Sequence, residues 1–107
     1  MVERTDIDKM PAMTMLTVYH LDGDRLLLTH YCMEGNQPRM RAQPFHAETG
    51  ELEFQFLDAT NLKGPKAGHM HNAKFRFLDA NHVTTDWSFF ENGVKKTTTS
   101  WQYVRIR

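Results

Sequence analysis

Apolar and polar residues alternate along this chain with a period of two, and no stretch holds the period of about 3.6 that a helix needs. The apolar runs predict strands at roughly 13–20, 25–32, 38–45, 51–57, 69–78, 83–90 and 96–106. Turn-forming clusters separate them: Leu21-Asp22-Gly23, Glu34-Gly35-Asn36-Gln37, Glu48-Thr49-Gly50, Asp79-Ala80-Asn81 and Glu91-Asn92-Gly93. The longest connection is Thr60 to Gly68, whose Gly-Pro content suits a lid or a flexible link. The expected class is therefore all-β, an antiparallel meander of about seven strands.

Turn length decides which residues share a face, because a slip of one residue sends every side chain to the other side. A two-residue loop at Asn92-Gly93 would set Trp87 and Trp101 on opposite faces. A three-residue loop at Glu91-Asn92-Gly93 pairs Trp87 near Thr97 and groups Val83, Trp87, Phe89, Trp101 and Tyr103. Burying both indoles together is the larger gain, so the three-residue loop is expected. The same choice at Leu21-Asp22-Gly23 groups Leu16, Val18, Leu26, Leu28, His30 and Cys32. Both faces then carry apolar residues. Curling into a barrel removes the exposed edges, and the remaining apolar face suits a second subunit, so a homodimer is expected.

The chain has 107 residues, enough for one domain with one modest core. Thirteen basic residues balance thirteen acidic ones, without the basic excess of a nucleic-acid or anionic-membrane binder. No apolar run approaches the roughly 18 residues that cross a bilayer. The opening Met1-Val2-Glu3-Arg4-Thr5-Asp6 has no hydrophobic signal region. A single cysteine, Cys32, excludes an internal disulfide, and a cytoplasmic location is expected.

Candidate chemistry centres on Gly68-His69-Met70-His71-Asn72-Ala73-Lys74-Phe75-Arg76-Phe77. Unbroken alternation places His69, His71, Ala73, Phe75 and Phe77 on one side. Imidazoles on an apolar face must be hydrogen-bonded, metal-bound or lining a cavity, because bare burial is costly. With His30 nearby, three imidazoles would suit zinc, but no carboxylate shares the motif, and no metal or cofactor is assigned. Cys32 beside His30 lies parallel to it on one strand, which suits wall neighbours better than a nucleophile and its base. Arg39 and Arg41 alternate with Pro38, Met40 and Ala42. They either anchor an anionic head group inside the barrel or form a solvated outer face. Asp86 reads as an exposed strand carboxylate. Phe54, Phe56, Phe75, Phe77, Trp87, Phe89 and Trp101 read as core. No phosphate loop, nucleophile elbow or dinucleotide fingerprint is present.

The stretch Thr17-Val18-Tyr19-His20-Leu21-Asp22-Gly23-Asp24-Arg25-Leu26-Leu27-Leu28-Thr29-His30-Tyr31-Cys32, followed by Gly35-Asn36-Gln37-Pro38-Arg39-Met40, resembles small bacterial proteins of lipocalin-like, calycin-type architecture. Phe56-Leu57-Asp58-Ala59-Thr60-Asn61, Gly68-His69-Met70-His71 and Thr85-Asp86-Trp87-Ser88-Phe89-Phe90-Glu91-Asn92-Gly93 fit the same resemblance, which runs from about residue 13 onward. It implies a β-barrel of lipocalin-like architecture. The Gly-x-Trp strand that usually opens such barrels is missing, and residues 1–12 read as an extension. The barrel is thus expected to be shortened, with another copy completing or covering it.

The function these readings support is non-catalytic binding of a small apolar or amphipathic molecule inside the barrel. Leu28, Phe75, Phe77 and Trp87 would supply apolar wall, and His30, His69 and His71 would fix the polar end. Arg39 or Arg41 would meet an anionic group. The alternatives are a small enzyme using a barrel histidine as general base, a dimeric interaction module with a packed barrel, and a haem-binding barrel.

Overall fold

The computed structural model describes residues 2–5, 15–32 and 35–105. The strands are β1 (Val2–Thr5), β2 (Met15–Asp22), β3 (Arg25–Tyr31), β4 (Gln37–Ala42), β5 (Glu51–Thr60), β6 (His69–Asp79), β7 (His82–Glu91) and β8 (Val94–Val104). Each pairs antiparallel with the next, in the order β1 to β8. All seven expected runs form strands, and β1 adds a short strand within the expected extension. Positions 13, 14, 34 and 106 of the expected elements, and the extension beyond Thr5, lie outside the described residues.

The sheet curls into an open half-barrel. Tyr19 on β2 meets Phe54 and Phe75 edge-on at 6.2 and 6.1 Å, and His30 on β3 lies 5.0 Å from the Trp87 ring on β7. These contacts bring distant strands together across the concave face. Among the described residues no pairing joins β8 to β1, so the sheet has two open edges. The core lies in the hollow, where Leu28, Met40, Phe54 and Ala73 are fully or almost fully buried and Trp87 is 4% exposed. Burying a side chain the size of Leu28 or Phe54 contributes about 1.5–3 kcal/mol.

Two turns correct the expected register. Asp22 pairs with Arg25, leaving the two-residue loop Gly23-Asp24 with Gly23 at φ +65°. A glycine at the first position of such a loop takes a positive φ that matches the twist of the flanking strands. This even count puts Thr17 and Tyr19 inside, opposite His30 and Leu28, while Leu16 is 38% exposed. The expected inward group of Leu16 and Val18 is therefore replaced by Thr17 and Tyr19.

At the other hairpin, Glu91 pairs with Val94 and both Asn92 and Gly93 are left-handed, at φ 57° and 74°. The loop has two residues, not three. A bulge then inserts Lys96 between the Phe90–Lys95 and Phe89–Thr97 pairs. The extra residue restores the parity that the short loop would have lost. Trp87 consequently pairs with Thr99, not near Thr97. Val83, Trp87, Phe89, Trp101 and Tyr103 do share a face, though by a different route from the one expected.

The connection between β5 and β6 is fastened rather than free. Lys66 O accepts a hydrogen bond from Asn92 N (2.9 Å), and Gly68 O accepts one from Asn36 Nδ2 (2.9 Å). No described helix is long and apolar enough to cross a membrane.

Candidate functional site: a trough on the concave face and a histidine pair outside it

The strand alternation of β6 breaks at His71. Met70 pairs with Phe89 and Asn72 with Ser88, leaving His71 as the bulged residue. Ala73 and Phe75 stay on the concave face, and Met70 joins them there, packed against the core. The two histidines do not. His71 lies over a cleft with Glu53, Gln55 and Asn72, the positions alternating with core residues Phe54 and Ala73. That cleft opens on the convex side. The expected single face of His69, His71, Phe75 and Phe77 is therefore split by one inserted residue.

Beside this cleft the histidines form a closed local network. The His71 ring stacks between Phe56 (4.6 Å, 11°) and Phe90 (4.4 Å, 28°). His69 Nδ1 lies 2.8 Å from the Ala67 carbonyl, and its Nε2 lies 3.0 Å from His71 Nδ1. Because a carbonyl only accepts, His69 Nδ1 must donate to it. Neutral His69 then accepts at Nε2 from His71 Nδ1–H, so both tautomers are set by this chain of bonds. Burial, and secondarily the neighbouring His69, hold the His71 pKa below its ordinary value.

The concave face carries a different arrangement. His30, 5% exposed, rests against Trp87 and has Thr17 Oγ1 3.0 Å from Nδ1. Its Nε2 is buried without a hydrogen-bond partner. Desolvation lowers its pKa to about 4, so the ring is neutral at physiological pH. Thr85, on the same wall two residues from Trp87, also has a buried hydroxyl without a partner. Each such orphan costs about 1–3 kcal/mol. A buried polar group without a protein partner retains the capacity for one further hydrogen bond.

A trough of about 470 Å³ opens along this face between β2–β3 and β7–β8. Met15, Met70 and Phe89 supply its apolar lining, Thr97 and Thr99 its β8 side, and Glu91 and Lys96 two opposite charges. Met15 and Met70 also border a small void of about 10 Å³ beside His30, Trp87 and Trp101. The volume is within the roughly 300–1,000 Å³ range of small-molecule sites.

Of the residues expected from sequence, His30 and Trp87 meet directly on the concave face. Leu28 and Phe75 lie beneath the same surface as buried core. Phe77 has the right face but sits at the end of the hollow, 45% exposed and edge-on to Phe45. Arg39 and Arg41 pair across β3 with Thr29 and Leu27, on the side away from Met40, so both point outward. Arg39 is engaged by Asp58 through two hydrogen bonds of 2.6 and 2.5 Å, and this holds the Asp58 carboxyl below the usual carboxylate range. Phe89 lies on the face expected for it, but the lining contributed by Met15, Met70, Thr97 and Thr99 was missed, because its parity depends on the even Gly23-Asp24 loop and on two bulges. No group of three or more potential metal ligands occurs among the described residues.

No family model matches this chain, and comparisons with curated proteins and with solved structures also gave no match.

Proposed function

We propose that the protein binds a small apolar or amphipathic molecule, without catalysis, in the trough on the concave face of its half-barrel. The observation that carries this reading is the buried, unpartnered His30 Nε2 against Trp87, next to a trough with an apolar lining. An apolar body would lie along Met15, Met70 and Phe89, with Leu28 and Phe75 supporting the floor from below. In this reading Arg39 and Arg41 take no part, because they face outward, and the His69–His71 pair belongs to a separate cleft.

The same proposal takes the sheet as a shortened, lipocalin-like barrel whose open side is covered by a second copy. Its support is the edge of β8, an eleven-residue strand that has no partner on that side among the described residues. Nile red titration, read by fluorescence and paired with native mass spectrometry, tests the reading. The dye should bind saturably to the wild-type chain. Met70→Glu, which sets a charge into the lining, should abolish binding while the fold persists by circular dichroism. Dye uptake that is unsaturable, or unchanged by Met70→Glu, would overturn the trough as a binding site. A monomeric mass at micromolar concentration would overturn the second copy alone.

A further inference from the structure

We infer that the trough selects a ligand whose inner end is an uncharged hydrogen-bonding group, a hydroxyl, carbonyl or amide, placed against His30 in preference to a carboxylate or an ammonium. The inference rests on the binding reading above and specifies its ligand class.

Its first support is the shape of the inner end. The void beside His30 is about 10 Å³, bordered by Met15, Thr17, Met70 and Trp87. That is room for a group the size of one water molecule. Met15 and Met70 border both the void and the trough. Flexible thioether side chains adapt readily to an entering chain, so the two spaces can become one.

Hydrogen-bond capacity is the second. Thr17 Oγ1 sits 3.0 Å from His30 Nδ1. A hydroxyl can donate to a bare ring nitrogen or accept from a protonated one. When Thr17 donates, His30 presents N–H at Nε2 and suits a carbonyl. When Thr17 accepts, His30 presents a lone pair and suits a hydroxyl or an amide N–H. Thr17 thereby lets one imidazole serve every neutral polar head.

Charge is the third. None of the residues bordering the inner void carries a formal charge apart from what His30 itself could gain. The nearest arginines of the sequence motif, Arg39 and Arg41, are on the opposite face of the sheet. An ionised head drawn in to His30 would lose its water without a counter-charge, which is strongly unfavourable. The charges that do border the trough, Glu91 and Lys96, belong to its other part and not to the void. An ionised group is thus kept at that end while a neutral group enters.

The matched probes 1-octanol and octanoate separate these possibilities. Long-range ¹H–¹⁵N NMR of the histidine rings reports on His30 Nε2, and the methionine methyls of Met15 and Met70 report on the trough. Octanol should move both signals, and its affinity should fall about tenfold in His30→Phe, the effect of losing one hydrogen bond. His30→Gln, which keeps a polar group, should recover part of that loss and so exclude a mere packing defect. Octanoate should move the methyls but leave Nε2 in place, with equal affinity for wild type and His30→Phe. If octanoate shifts Nε2, or loses as much affinity as octanol, the ligand class is wrong and the trough stands. If neither probe moves the methyls, the binding reading fails, and this inference with it.

Discussion

His30 on the concave face and the His69–His71 pair on the convex side are the same side chain under opposite arrangements. His30 has one bonded nitrogen and one bare, in a wall of Trp87, Met15 and Met70. His69 has both nitrogens engaged, one by a backbone carbonyl and one by His71. The first imidazole is isolated by burial; the second is satisfied by its neighbours. A histidine on a strand therefore says little until its second nitrogen is traced. The imidazole with a bare nitrogen beside the trough, rather than the bonded pair, marks the candidate site.

The contrast between the two faces is broken most strongly by removing their aromatic rings. Phe54 is 1% exposed in the concave core, whereas Phe90 is only partly buried above the convex cleft. Phe54→Ala should cost about 4 kcal/mol in urea unfolding, and Phe90→Ala less than about 2. Equal losses would mean that the convex stack is as much core as the hollow.

A pH titration sharpens the comparison next. His30 has a folded pKa near 4 against an ordinary value of 6.5, because burial disfavours its charged form. Between those values the unfolded chain binds a proton that the folded chain refuses, so stability falls as pH drops through that window. The expected loss is about 3 kcal/mol. It should shrink in His30→Phe, measured as the unfolding free energy at pH 7 and pH 4. A wild-type curve that is flat across this range would show that His30 is already protonated or exposed.

The smallest effect belongs to the pair. In His69→Gln, the like-charge influence of His69 on His71 is gone, while the burial that contributes most to the His71 shift remains. The His71 pKa should rise toward its ordinary value without reaching it, read from ring-proton chemical shifts. A fall would show that the hydrogen bond His71 donates to His69, which favours the protonated His71 ring, outweighs the like-charge influence of His69.

Much of the architecture was legible from period-two alternation and turn residues: the strand class, the seven meander strands and most of their bounds. Alternation is a local property, so it survives without knowledge of partners. Parity is not local. The even loop at Gly23-Asp24 turned Thr17 and Tyr19 inward in place of Leu16 and Val18. Hydropathy favoured the wrong pair because a buried threonine looks polar until its hydroxyl is seen against His30. The bulges at His71 and Lys96 carry no residue signature that separates them from ordinary strand positions. One of them moved two expected site residues to the other face; the other kept the two tryptophans together despite a shorter loop. Trp87 and His30 were recoverable because each lies on a segment of strand that no bulge interrupts before the core.

Among the described residues, β8 has a neighbour on one side only. In an antiparallel ladder, the amides of alternate residues point to opposite sides of their strand. About half of the N–H groups along Val94–Val104 are therefore turned toward β7, and the rest point to the open edge, where no strand among the described residues pairs with them. Native-state hydrogen exchange consequently separates this strand into slow and fast amides at every second residue beyond the Lys96 bulge, within one continuous element. Occupation of the free edge by another strand erases that alternation, so the exchange pattern of β8 is a direct gauge of whether the half-barrel stands alone.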